Sequence, residues 1–236
     1  MKDAFFTLYQ GLDREGPGAP EDVAWVADTI GLPSDARICD AGCGSGADVP
    51  ALLAAAPNGT LTAVDSHKPF IDALLLRIDM DPRVSAYAGH MGKLKGPFDL
   101  IWSAGALYFL GIEKGLKLWR PTLAKGGAVA FSEPCLYTDT PSAAAMAFWH
   151  EYPAVTDAAG IDAHVRAAGF ETVATRRVSD AAWEAYYQPL EARIGVLRPE
   201  ADELMTAVLD AAQTEINTFR DARAETGYLL SVVRPA

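Results

Sequence analysis

No stretch of this chain approaches the roughly 20 consecutive apolar residues that a bilayer-spanning helix needs, although half of its 236 residues are hydrophobic. The apolar residues fall in short runs broken by glycine, proline and charge, which is how a soluble packed core is written. Cysteine is scarce. Cys39, Cys43 and Cys135 match neither a disulfide framework nor a Cys-x-x-Cys metal pair, so reduced thiols and no metal site are expected. The opening MKDAFFTLYQ has an acid at Asp3 and only a brief apolar patch. It lacks the charged region, long apolar region and cleavage site of a secretory signal, and a cytoplasmic location is the expectation. Positive charge is also short: 20 Lys and Arg stand against 31 Asp and Glu, a formal net charge of −11. No run of Lys and Arg offers a local patch for a phosphate backbone, so neither nucleic acid nor a membrane is expected as a partner. Internal repeats and low-complexity segments are absent, which excludes solenoids and disordered arrays. What remains is one domain, residues 1–236, near the upper size for a single core and with insertions.

The chain carries a regular alternation. Pro20 suits a first helical position, Glu21 and Asp22 suit the positive end of the dipole, and Val23, Val26 and Ile30 share a face, so residues 20–30 are predicted helical until Gly31 and Pro33 stop them. Residues 1–33 thus form an N-terminal arm and helix. Strands are predicted over 37–40, 60–65, 84–88, 98–103 and 128–133, with helices over 47–56, 69–79 and 113–123. The pairs Asn58-Gly59 and Gly126-Gly127 supply turns before two of the strands. The pattern weakens over 134–156, then resumes with a helix over 157–168 and a strand over 170–178. Beyond Pro199, Leu204, Val208, Ala212, Ile216 and Phe219 fall on one helical face, and a strand over 228–233 would close the sheet. The expected fold is α/β, a doubly wound and mostly parallel sheet, with a helical insertion at 180–226 just before the last strand.

The residues that carry chemistry are Asp40-Ala41-Gly42-Cys43-Gly44-Ser45-Gly46, between a strand and a helix. Glycine lets the chain turn sharply and lets a ligand lie against bare backbone, and the helix that follows offers free amides. The spacing is G-x-G-x-G, not the G-x-G-x-x-G of dinucleotide binders. Asp40, closing the strand, suits a cationic ligand and would repel a pyrophosphate. Asp65 ends the next strand, where a carboxylate can accept from ribose hydroxyls, a feature shared by dinucleotide sites.

These residues resemble the class I S-adenosylmethionine-dependent methyltransferases, whose first motif looks like the stretch from Asp40 to Gly46 and whose ribose-binding acid looks like Asp65. Phe98-Asp99-Leu100-Ile101-Trp102-Ser103, Gly105, Ala106, Tyr108, Trp119-Arg120 and Ser132-Glu133 resemble a bacterial branch of small-molecule methyltransferases, as do Phe6-Thr7-Leu8-Tyr9 and Gly16-Pro17-Gly18 near the start. The resemblance implies a seven-stranded Rossmann-like sheet, a cofactor-binding core at 34–133, and substrate-side insertions at 134–158 and 180–226. It implies that Gly42, Gly44 and Gly46 lie under the methionine part of the cofactor, that Asp40 contacts its ammonium, and that Asp65, with Ser66 after it, takes the ribose. Cys43 serves as a small residue in that loop. The family often places an acid after the third strand for adenine, but this chain reads Gly89-His90-Met91 there, so the backbone near His90 and Met91 is expected to hold the base. His67 reads as a helix-entry residue.

The activity implied is methyl transfer to a small molecule with an N or O nucleophile, leaving S-adenosylhomocysteine. An acceptor with a proton to lose needs a base, and Glu133, at the carboxyl end of a central strand, is the best-placed carboxylate; its alternative is to cap the following turn. Ser103 ends the neighbouring strand and could face both cofactor and acceptor. The Asp/Asn-Pro-Pro-aromatic motif of enzymes that methylate amino groups of nucleic-acid bases is absent, since the chain reads Ser103-Ala104-Gly105-Ala106. Of the aromatic residues outside the predicted sheet, Tyr9, Tyr108 and Tyr187 are the candidates to touch substrate. Two other readings stand beside this one: a nicotinamide-dependent oxidoreductase, which the glycine turn and Asp65 also suit, and a non-catalytic interaction protein that keeps a cofactor fold.

Overall fold

A computed structural model describes residues 2–236. A short helix, α1 (Lys2–Tyr9), and a second, α2 (Pro20–Ile30), precede the sheet. The next elements are β1 (Arg37–Ala41), α3 (Val49–Ala55), β2 (Thr60–Asp65), α4 (Lys68–Arg77), β3 (Val84–Ala88), β4 (Phe98–Ser103), α5 (Ile112–Trp119) and β5 (Leu123–Leu136). After them come α6 (Ala143–Phe148), β6 (Thr156–Asp157), α7 (Ala158–Ala167), β7 (Phe170–Arg177), α8 (Asp180–Leu197), α9 (Glu203–Ala222) and β8 (Thr226–Pro235).

The main path of the sheet runs β3-β2-β1-β4-β5-β8-β7. The first five strands are parallel, and β8 lies antiparallel between β5 and β7. Seven strands were expected. The eighth is β6, two residues that pair with the end of β5 at Cys135 and Leu136.

Two apolar clusters sandwich the sheet, and strand alternation assigns residues to them. Ile38, Leu100, Trp102 and Ala130 pack with Val26, Leu52 and Leu74 of α2, α3 and α4. Cys39, Ile101, Val129 and Phe131 pack with Leu116 and Trp119 of α5 and Val165 of α7. The helices of the insertion, α8 and α9, join the first cluster through Tyr187, Leu190, Ile216 and Phe219.

Several boundaries shift for identifiable reasons. Helix α5 ends at Trp119 rather than 123 because Pro121 follows, and β5 starts at 123 rather than 128. Gly126-Gly127 lies inside β5 as an irregularity: Phe98 pairs with Leu123 and Leu100 with Ala128, so extra residues bulge out between those pairs. In α9 the buried face is Leu209, Ala212, Ile216 and Phe219, whereas Leu204, in the first turn, is 46% exposed. That turn is anchored by Asp202, whose side chain accepts from the Met205 amide.

Candidate active site

The parallel strands end together on one edge. Asp40 pairs with Ala63 and Trp102, Asp65 with Ala88, and Ser103 with Phe131. Strand order reverses between β1 and β4, the place where doubly wound sheets hold ligands. A cavity of about 530 Å³ fills that crevice.

The glycine loop forms its floor. Gly42 has φ +83°, and a Cβ there would come within 2.4 Å of the Ala106 Cβ, so backbone from β1 and from the loop after β4 can meet only if the residue is glycine. Gly44, Cys43 and Ser66 also line the cavity. Gly46 does not. Its missing Cβ admits Leu74 of α4, so the structure makes it a packing glycine rather than a floor for a ligand.

Asp65 fastens the loop. Its carboxylate accepts from the Gly44 amide at 3.1 Å and the His67 amide at 2.8 Å while facing the cavity. Asp40 also lines the cavity, is 3% exposed, and receives no hydrogen bond on its carboxylate among the described residues. Burial holds its carboxyl well above the usual range, the charges of Asp48 and Asp65 push the same way, and Arg14 opposes them.

The arm between α1 and α2 adds two residues that sequence reasoning missed, Arg14 and Glu15, and the entry to α3 adds a third, Asp48. The Arg14 guanidinium donates to Asp48 at 3.1 Å, and the other Asp48 oxygen accepts from the Trp102 indole at 3.0 Å. Glu15 accepts from the Ser45 amide at 3.0 Å. All three line the cavity. The signal available was the charged run Asp13-Arg14-Glu15 abutting Gly16-Pro17-Gly18 in a segment with no helical period.

At the far end of the crevice lie His90, Met91 and His67. Nδ1 of His90 accepts from the Gly92 amide at 2.9 Å, and the Met91 carbonyl accepts from the Trp119 indole at 2.7 Å. His67 precedes the first turn of α4, and its ring stacks on Phe6 of α1 with centroids 3.6 Å apart. Tyr9, on the same helix as Phe6, and Tyr108, in the loop after β4, also line the cavity.

Three candidates lie elsewhere. Ser103 is fully buried and its hydroxyl donates to the Ala41 carbonyl at 2.8 Å, tying β4 to β1. Tyr187 is fully buried in α8, its hydroxyl donating to Glu215 at 2.9 Å. Glu133 follows Val129 and Phe131 onto the face covered by α5 and α7, while its neighbour Ser132 accepts from the Gly105 amide at 2.7 Å. Glu133 opens on a separate hollow of about 270 Å³ and not on the main cavity. One of its oxygens accepts from the Tyr152 hydroxyl at 2.7 Å, and the other has no partner. Burial pushes its carboxyl up to about 7, the Tyr152 bond resisting.

Residues 38–127, the stretch that builds this crevice, match the methyltransferase domain family. That match spans 90 of the 236 residues. The whole fold of the chain superposes on solved structures. The S-adenosylmethionine-dependent methyltransferase from Geobacter sulfurreducens, solved with S-adenosyl-L-homocysteine, shares 19% identity at a TM-score of 0.84, over 100% of this chain and 99% of that one. The corresponding protein from Thiobacillus denitrificans, solved with the same ligand, shares 20% at 0.82 over 98% of each chain. Escherichia coli YjhP shares 17% at 0.84 over 99% of each. No curated protein matches the chain by sequence. Among the described residues, no helix is long and apolar enough to cross a membrane.

Proposed function

We propose that this domain binds S-adenosylmethionine along the crevice and directs its methyl group to a small-molecule acceptor entering past Tyr9 and Tyr108. The observation that carries the reading is Asp40: a buried carboxylate without a protein donor, beside two further acids, at the bend of a glycine loop. Such a site suits a ligand bearing an ammonium and a sulfonium, and it repels a pyrophosphate. That favours methyl transfer over the nicotinamide alternative.

The residues present fit the cofactor from end to end. Asp40 meets the amino group, Arg14 the carboxylate, Asp65 and Ser66 the ribose, and the segment from Gly89 to Met91 the base. When bound, the sulfonium supplies an already activated methyl group. The chain's own task is therefore positioning, which is worth roughly 7–11 kcal/mol in favourable cases. Ala104, Gly105 and Ala106 leave room beside the glycine loop, and Phe5, Phe6 and Tyr9 of α1 form an apolar wall that keeps water out. The chain's acidity supports a small acceptor over a nucleic acid.

Calorimetric titration tests the assignment. S-adenosylhomocysteine is expected to bind and NADH not to, and the reverse pattern overturns the reading. Asp65→Ala removes an acceptor from the ribose and from two loop amides, and it is expected to weaken S-adenosylhomocysteine by roughly 1–3 kcal/mol. Unchanged affinity would remove Asp65 from the site.

A further inference from the structure

Part of the cavity wall is aromatic, and the charges behind it share one sign. Tyr9, Tyr108 and Phe109 face the cavity. The Tyr9 and Tyr186 hydroxyls lie 3.1 Å apart. Behind them, on α9, Glu215 keeps access to solvent and accepts from Tyr187 at 2.9 Å. Burial raises the phenols of Tyr9, Tyr108, Tyr186 and Tyr228, and the charge of Glu215 pushes each the same way, although burial also raises the carboxyl of Glu215 itself. On the other side, Tyr152, bonded to Glu133, packs its ring 5.5 Å from that of Tyr108. Glu215 has no Lys or Arg partner among the described residues, and Glu151 adds a second negative charge near it.

Among the described side chains, no Lys lines the cavity and its one Arg stands beside the glycine loop. The basic side chains lining the cavity are Arg14, paired with Asp48, and two histidines beside the segment assigned to the base. An anionic acceptor would find no counter-charge at the wall. A cation would find ring faces, and carboxylates focusing a negative potential through them.

We infer that the acceptor is an amine, its nitrogen held against Tyr9 and Tyr108 in the field of Glu215. The inference rests on the methyl-transfer reading and deepens it. The reaction balances without any residue acting as a base. The free amine's lone pair forms the new N–C bond while the C–S pair stays on sulfur, so the sulfonium becomes a thioether and the positive charge passes to nitrogen. A tertiary amine ends as a quaternary ammonium with no proton lost; a primary or secondary amine releases one to solvent. The desolvated phenols stay protonated, and Glu133 is screened from the cavity by Tyr152, so neither is required to take that proton.

The test uses the protein loaded with S-adenosylhomocysteine and three probes of nearly one shape: choline, neutral 3,3-dimethylbutan-1-ol and anionic 3,3-dimethylbutanoate. Choline is expected to bind about tenfold tighter than the neutral probe, the size of a desolvated cation–π contact. Glu215→Gln keeps an acceptor for Tyr187 while removing the charge. It is expected to cut that preference severalfold and to leave S-adenosylhomocysteine affinity unchanged. Equal binding of charged and neutral probes, or preference for the anion, overturns the amine assignment. A choline preference intact in Glu215→Gln overturns the part given to Glu215. Failure of S-adenosylhomocysteine itself to bind strikes the methyltransferase reading instead.

Discussion

At pH 8 the Glu133→Gln variant will resist urea better than the parent chain, by up to about 3 kcal/mol, and the advantage will vanish near pH 4. The sign follows from burial. In the folded protein the Glu133 carboxyl is pushed from 4.5 up to about 7, so between those values the folded state holds a proton that the unfolded state has released. Stability therefore falls as pH rises through that window, because the unfolded chain binds fewer protons than the native one. Below 4.5 both states are protonated and the group contributes nothing; above 7 the folded protein carries a desolvated charge with one unpartnered oxygen. The interval from 4.5 to about 7, at about 1.4 kcal/mol per pH unit, sets the magnitude. Glutamine keeps the shape, offers Tyr152 an acceptor, and has no charge to desolvate. Urea midpoints of both proteins at pH 5 and pH 8 measure the effect. An equal gap at the two pH values would show that Glu133 is already ionised throughout, or that its environment is wetter than its burial implies.

That expectation reverses the role given to Glu133 from sequence, and the reason is instructive. The segment from Val129 to Cys135 is apolar on both faces apart from Ser132 and Glu133, since β5 is covered on each side by helices. A strand buried on both faces shows no polar alternation, so nothing in the run says which of two adjacent residues looks toward the cofactor. Ser132 turns to Gly105, which lines the cavity, and Glu133 takes the opposite side. Tyr187 is a similar case. Helix α8 buries Trp183, Tyr186, Tyr187 and Leu190 around much of its circumference, and only packing decides that Tyr186 meets Tyr9 while Tyr187 turns to Glu215.

Where local rules were strong, the chain could be read directly. The strand-turn-helix of residues 37–55 follows from a buried strand, three glycines in the left-handed region and Pro50 at the start of a helix. Asp40 and Asp65 were legible because each ends a parallel strand, and all such ends meet at one edge. Arg14 and Asp48 were not. Their pairing joins positions 34 apart in sequence, and it exists only because the arm folds back over Trp102. A contact of that kind leaves no periodic trace.

The Asp40→Asn variant will lose S-adenosylhomocysteine affinity by about 2–5 kcal/mol, the range for removing one member of a buried charge pair, while the ligand-free protein becomes more stable at neutral pH. The two effects have opposite signs because Asp40 is costly without its ligand. Its folded carboxyl is raised by burial and by two neighbouring acids, so its contribution to stability is lost as pH climbs above the ordinary carboxyl value of 3.8. Asparagine escapes that loss. A bound ammonium would hold the carboxylate ionised, so ligand and proton compete: in the parent protein, affinity should weaken as the solution is acidified, and binding should expel a proton. The variant should show neither dependence. Calorimetry at pH 5.5 and pH 8, in buffers of different ionisation enthalpy, reads both, and urea unfolding reads the stability. Parent affinity that strengthens toward acid, or equal affinity in the two proteins, would place the ammonium elsewhere. A carboxylate kept for the fold would lower stability when replaced; only one kept for a ligand separates the two measurements.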